Sequence, residues 1–128
     1  MIVKITNEHP KFYQYMGKFF GSRTIERQIN DRIYDDNGKV WYICIEDGKV
    51  MSFVSVSKNI IKNIYAVKEQ YLEEILKKIK KENIITYSIV PKCYKNLYQE
   101  SGFEVSKNQD YKNFVIIYME TGITPLID

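Results

Sequence analysis

The stretch IYAVKEQYLEEILKKI, residues 64–79, decides the fold. Its opening is apolar and β-branched, as a buried strand is. From Leu72 onward, Leu72, Ile75, Leu76 and Ile79 recur at helical spacing, while Lys77, Lys78, Lys80 and Lys81 take the opposite face. A strand therefore runs straight into an amphipathic helix. The bare amides and positive dipole end at such a junction suit an anion, and glycines usually let the backbone close around it. Here no glycine lies between Gly48 and Gly102. Lys68 and the amides near Glu69 to Tyr71 can still meet an anion, but Glu69 already places a negative charge at the favoured end of the dipole.

Working outward, NIITYSIV (83–90) reads as a second buried strand, so the helix expected over 69–82 is a crossover. Upstream, VWYICIEDGKVMSFVSV (40–56) reads as a hairpin about the turn signal Asp47-Gly48. Val40 to Ile45 is apolar on both faces and so central. A polar turn near Ser57 to Asn59 leads to a third strand over 60–67. At the N-terminus IVKIT (2–6) is a short strand. Pro10 suits a helix start, and Phe12, Met16, Phe19 and Phe20 share one helical face. Ser22 can cap a second helix, in which Ile25, Ile29 and Ile33 recur and which DDNG (35–38) ends. Pro91 opens and Gly102 closes a short helix. FEVSK (103–107) and KNFVIIYME (112–120) form a last strand pair.

The expected class is α+β: a twisted, mostly antiparallel sheet of six to seven strands with helices on both faces. The 128 residues make one domain, with 121–128 a C-terminal extension. A composition 45% hydrophobic and 27% charged is that of a soluble globule, and no apolar run reaches the length of a membrane span, so a cytoplasmic protein is expected. Cys44 and Cys93 are expected to be buried, reduced thiols. His9 has no cluster of ligands around it, so no metal site is expected. The net charge of +3 is spread along the chain, as on a solvated surface.

This order of elements resembles the GNAT superfamily of acyl-CoA-dependent N-acetyltransferases over residues 2–119. YICIEDGKVMSFVSV looks like the family's second and third strands, and LYQESGF (97–103) looks like its LYEKLGF ending of the fourth helix. FFGSRTIERQINDRIYDDNGKVWY is similar to small GNAT-like proteins carried by phages. The resemblance implies acetyl-CoA as cofactor. Its arm would lie along Tyr65, Ala66 and Val67, and its pyrophosphate would sit at Lys68, Gln70 and Tyr71. It also implies Tyr98 as the acid that protonates the departing thiolate, since a phenol's pKa of about 10 keeps it protonated at neutral pH. The acceptor cleft would be bordered by Arg23, Glu26, Asp31 and Ser88.

The chain departs from the family at two places. The Q/R-x-x-G-x-G/A loop is missing, and only residues 68–74 separate Val67 from Ile75-Leu76, fewer than the family's loop supplies. CoA binding is therefore expected to be weak or atypical. Pro91 stands where the family often has asparagine, and Tyr94 where it has a small residue. Both crowd the thioester end. The reading is a divergent N-acyltransferase moving an acetyl group from acetyl-CoA to an unknown amine on a small molecule, protein or nucleic acid. It uses no membrane, and self-association into a homodimer is compatible with it. Two alternatives stand beside it: a catalytically inactive GNAT-fold binding protein, and a phage-type modifier of nucleic acid.

Overall fold

The computed structural model describes residues 1–119, so the extension expected at 121–128 lies outside the described residues. Seven strands form one sheet: β1 (Ile2–Ile5), β2 (Val40–Glu46), β3 (Lys49–Ser57), β4 (Ile60–Ala66), β5 (Tyr87–Pro91), β6 (Val105–Asp110) and β7 (Phe114–Met119). Their spatial order is β1-β2-β3-β4-β5-β7-β6. Neighbours are antiparallel except β4 and β5, which run parallel. The expected three-strand run over 40–67 forms, turned by Asp47-Gly48 and Lys58-Asn59. All four turn residues have positive φ, between 50° and 72°, which matches the right-handed twist of the flanking strands. Among the described residues, no helix is long and apolar enough to cross a membrane.

The helices are α1 (Phe12–Met16), α2 (Arg23–Ile29), α3 (Gln70–Glu82) and α4 (Leu97–Glu100). The crossover helix α3 buries Leu72, Ile75, Leu76 and Ile79, the stripe its sequence shows. Its start is tied to the sheet by the Ser52 hydroxyl, which donates to the Tyr71 carbonyl at 2.8 Å. Its end is tied by the Tyr42 hydroxyl, which donates to Glu82 Oε1 at 2.8 Å. The alternation along a strand puts Trp41, Phe53 and Tyr65 on the other face. There Phe12, Phe19 and Phe20 pack against them, with ring centroids 5.0–6.2 Å apart.

Several details differ from the sequence expectation. The first helix ends at Met16, and Phe19 and Phe20 reach the core from the turn beyond it. The second, capped by Ser22 as expected, stops at Ile29. Asn30 turns left-handed there (φ 57°) and returns its N–H to Glu26 O, the usual way an asparagine ends a helix. Ile33 is buried all the same, from the loop. The helix expected from Pro91 is split into a 3-10 turn, Lys92–Tyr94, and α4, and Pro91 itself closes β5. Of the two thiols expected to be buried, Cys44 is and Cys93 is exposed, because it sits on that turn rather than on an inward helical face.

The loop 34–39 carries an unusual burden. The Lys39 side chain is fully buried, and its ammonium donates to Tyr34 O at 2.9 Å and lies 3.7 Å from Asp36 Oδ1. Burial is the main cause of its lowered pKa, opposed by Asp36 and Asp35. An unfolded chain keeps that proton to higher pH than the native one. Stability should therefore rise with pH through the interval between the depressed native value and the ordinary 10.5. In Lys39→Met this contribution is absent. Urea unfolding at pH 7 and pH 10 is expected to show the wild type gaining stability relative to Lys39→Met. Parallel behaviour of the two proteins would contradict a depressed Lys39.

Candidate functional site

The parallel junction is short. β4 and β5 pair only at Ile60 with Tyr87 and Ile61 with Ser88, and then part. β5 goes on along β7 as far as Pro91 opposite Phe114, leaving the far half of β4 with an open edge. Successive amides of a strand point to opposite sides. Val67 N–H donates to Met51 O on β3 at 2.9 Å, and Ala66 N–H points into the fork.

At the vertex of the fork the Ser88 hydroxyl donates to Ile61 O at 3.3 Å. The Tyr98 hydroxyl is 2.7 Å from Ser88 Oγ and, with the serine proton engaged, is the donor. The Tyr98 hydroxyl thus addresses the gap between the strands rather than the apolar layer under α4. It is nevertheless wholly buried, with Phe103 packed on its ring at 5.7 Å. Burial raises its pKa far above a free phenol's, with Ser88 opposing weakly.

Tyr94 fills the open half of the fork. It is 5% exposed, and its hydroxyl accepts from Ala66 N–H at 3.3 Å. Burial pushes its pKa up to about 12, so it is a neutral plug at every physiological pH.

The start of α3 has two of its amides engaged. Tyr71 N–H bonds to Lys68 O at 3.1 Å and Leu72 N–H to Glu69 O at 2.9 Å. Lys68, Glu69 and Gln70 are exposed, and Glu69 makes no capping bond. These residues do not fit acetyl-CoA. No glycine cradle is present to receive its phosphates, and the strand edge that would pair its arm is held by Tyr94. Of the cofactor residues expected from sequence, Tyr65 belongs to the aromatic core beside Phe53, and the amides of Ala66, Val67 and Tyr71 are already bonded.

The face of the sheet opposite α3 carries a cleft of ≈ 300 Å³ beside the fork. The segment after α2 supplies Asn30, Asp31, Arg32 and Tyr34 to it. β4 supplies Lys62 and Asn63, β5 Ile89 and β7 Phe114. Asn63 is locked by the Ser55 hydroxyl, which donates to its Oδ1 at 2.7 Å. Asp31 is the one carboxylate of the lining, and burial raises its pKa, with Arg32, Lys39 and Glu26 contributing less. Of the four residues expected to border an acceptor cleft, Asp31 is in this lining, and Arg23, Glu26 and Ser88 are not. Arg23 and Glu26 stay on α2, about two turns and one turn before the left-handed Asn30 swings the chain round. Ser88 faces Tyr98, on the other side of β5 from Ile89. Two hollows of ≈ 430 Å³ lie at the far edge, beside β1 and Gly38, away from the fork.

No family model matches the chain, and no curated protein sequence does. Solved structures do match. An acetyltransferase of the GNAT family from Bacillus cereus superposes with a TM-score of 0.60 at 14% identity, over 94% of this chain and 96% of that one. Escherichia coli ElaA superposes with a TM-score of 0.63 at 10% identity, over 94% and 99%. The Campylobacter jejuni N-acetyltransferase PseH, solved in complex with acetyl coenzyme A, gives 0.51 at 15%, over 92% and 97%.

The chain has the GNAT fold.

Identities this low carry the fold and nothing finer. The side chains that shape the fork and the cleft of this chain include Tyr94 and Asp31. The sequence signalled Tyr94 as a large residue at a position where the resemblance implies a small one. Asp31 was among the residues the sequence placed at an acceptor cleft, though on the second helix rather than in the loop after Asn30.

Proposed function

We propose that this chain is a GNAT-fold binding protein that works through the cleft of Asp31, its acyl-donor groove being closed by its own side chains. The observation that carries this reading is the Tyr94 hydroxyl on Ala66 N–H, at the strand edge where a donor arm would pair. The tied amides of Tyr71 and Leu72 support it at the phosphate end. Calorimetric titration with acetyl-CoA tests it. Each missing hydrogen bond to a charged phosphate removes about 1.5–3 kcal/mol, so binding is expected to be weaker by at least about tenfold for each lost bond than in a glycine-cradled site. Sub-micromolar affinity would overturn the reading.

One observation favours a second reading, acetyl transfer to an amine: the Tyr98 hydroxyl stands at the vertex of the fork on Ser88. On that reading Tyr98 is the proton donor, and the donor lies along Tyr65 to Val67 with Lys68, Gln70 and Tyr71 at its phosphates, once Tyr94 has left the edge. Tyr98→Phe separates the two. For a proton donor, turnover should fall about 10²–10⁴-fold. For a buried structural phenol, the loss is about 0.5–1.5 kcal/mol of stability and nothing else. Tyr94→Phe is the control and leaves the chemical step alone.

A further inference from the structure

The cleft beside the fork holds groups the sheet does not need for its own packing. Asp31 is half-buried, and one of its oxygens accepts from Arg32 N–H at 2.8 Å. Among the described residues its second oxygen has no hydrogen-bond partner. Arg32 and Lys62 enter the same cleft, and neither forms an ion pair among the described residues. The lining thus has one acid and two bases within a volume of ≈ 300 Å³, the small end of the range for ligand pockets.

Two aromatic rings complete it. Tyr34 and Phe114 are 43% and 36% exposed, among the few large apolar side chains left open. Each is held from one side. The Lys39 ammonium sits 3.7 Å from the centre of the Tyr34 ring, and Tyr111 stacks on Phe114 at 4.6 Å with 13° between the planes. Rings backed in this way are stiff and keep another face for a ligand, and stacking of a flat group on an aromatic face is favourable.

We propose that this cleft binds a small primary amine that also carries an anionic group and a flat ring. The ammonium pairs with Asp31, the anion with Arg32 and Lys62, and the ring lies against Tyr34 and Phe114. The excess of one positive charge in the lining sets the preference for a ligand with at least one anionic group. The inference rests on the reading of this cleft as the working site, and it needs no acyl donor.

Three commercial compounds dissect it by calorimetry at neutral pH. Pyridoxamine 5′-phosphate has the amine, the anion and the ring. Pyridoxamine lacks the anion, and pyridoxine 5′-phosphate lacks the amine. The first is expected to bind at least about tenfold more tightly than either of the others, the usual return on one charge-assisted contact. Asp31→Asn keeps the acceptor oxygen for Arg32 N–H. It should bring pyridoxamine 5′-phosphate down to the level of pyridoxine 5′-phosphate and leave the latter unchanged. Lys62→Met should weaken the two phosphates together and spare pyridoxamine. Equal binding of all three compounds, no binding of any, or an Asp31→Asn protein indistinguishable from wild type would overturn the proposal. Since acetyl-CoA is not in the cell, the result stands apart from the donor titration, whichever way that comes out.

Discussion

Tyr94→Ala is expected to bind acetyl-CoA at least about tenfold more tightly than the wild type does. The substitution removes the ring that fills the fork and releases Ala66 N–H, the amide that a donor arm would meet. A recovered backbone hydrogen bond contributes about 0.5–1.5 kcal/mol, and the apolar wall exposed in the groove adds to it about 25 cal/mol for each Å² covered. Together these reach or exceed the 1.4 kcal/mol of a tenfold change. The phosphate end remains uncradled, so the gain stops well short of tight binding. The same substitution empties a buried site and should cost about 3–5 kcal/mol of stability, so unfolding curves must accompany the titration. Tyr94→Phe is the companion variant. It leaves the groove full, orphans Ala66 N–H at a cost of about 1–3 kcal/mol, and should bind acetyl-CoA no better than wild type. A folded Tyr94→Ala protein with unchanged affinity would show that the ring is not what closes the groove.

The largest loss of stability is expected at Trp41. Its side chain has no solvent exposure. It meets Phe12, Phe20 and Phe53 at centroid distances of 6.2, 5.7 and 5.7 Å, and its Nε1–H donates to Asp35 Oδ1 at 2.9 Å. Asn7 holds the other oxygen of that carboxylate at 3.0 Å. The indole therefore joins α1, β2 and the loop before β2. Truncating a buried aromatic costs about 3–5 kcal/mol, and here the Asp35 carboxylate also loses a donor. A domain of this size is stable by about 5–15 kcal/mol, so Trp41→Ala should be marginal at room temperature. Trp41→Phe keeps most of the apolar contact and loses the bond to a charged acceptor, for about 1.5–3 kcal/mol. Denaturant midpoints for the two variants check the order. If Trp41→Phe is as damaging as Trp41→Ala, the bond to Asp35 outweighs the packing.

Much of the fold was legible before any coordinates, because its signals are local. The alternation and apolarity of 40–46, the Asp47-Gly48 turn and the helical stripe of α3 each follow from residues a few positions apart. So does the direct passage of β4 into α3, which marks the crossover and, with it, the fold. The same local rules misjudged the ends of elements. The isoleucine spacing carries the second helix on to Ile33, whereas the left-handed Asn30 ends it at Ile29. Pro91 reads as a helix start, but its fixed φ also suits the last residue of a strand.

The site was legible only in outline, because it is made of pairs distant along the chain. Ser88 meets Tyr98 only because β5 is in register with Ile61 and α4 packs over their junction. Tyr94 meets Ala66 only because the two strands part after two residues. Asp31, rather than Glu26, enters the cleft because a single left-handed residue turns the chain between them. Lys39, a surface residue by any composition rule, is buried because Tyr34 and Trp41 close over it. The sequence by itself determined the order of strands and helices, since periodicity and turn chemistry act over a few residues. Which side chains share the fork and the cleft was decided by strand register and loop path, which exist only once the sheet is assembled.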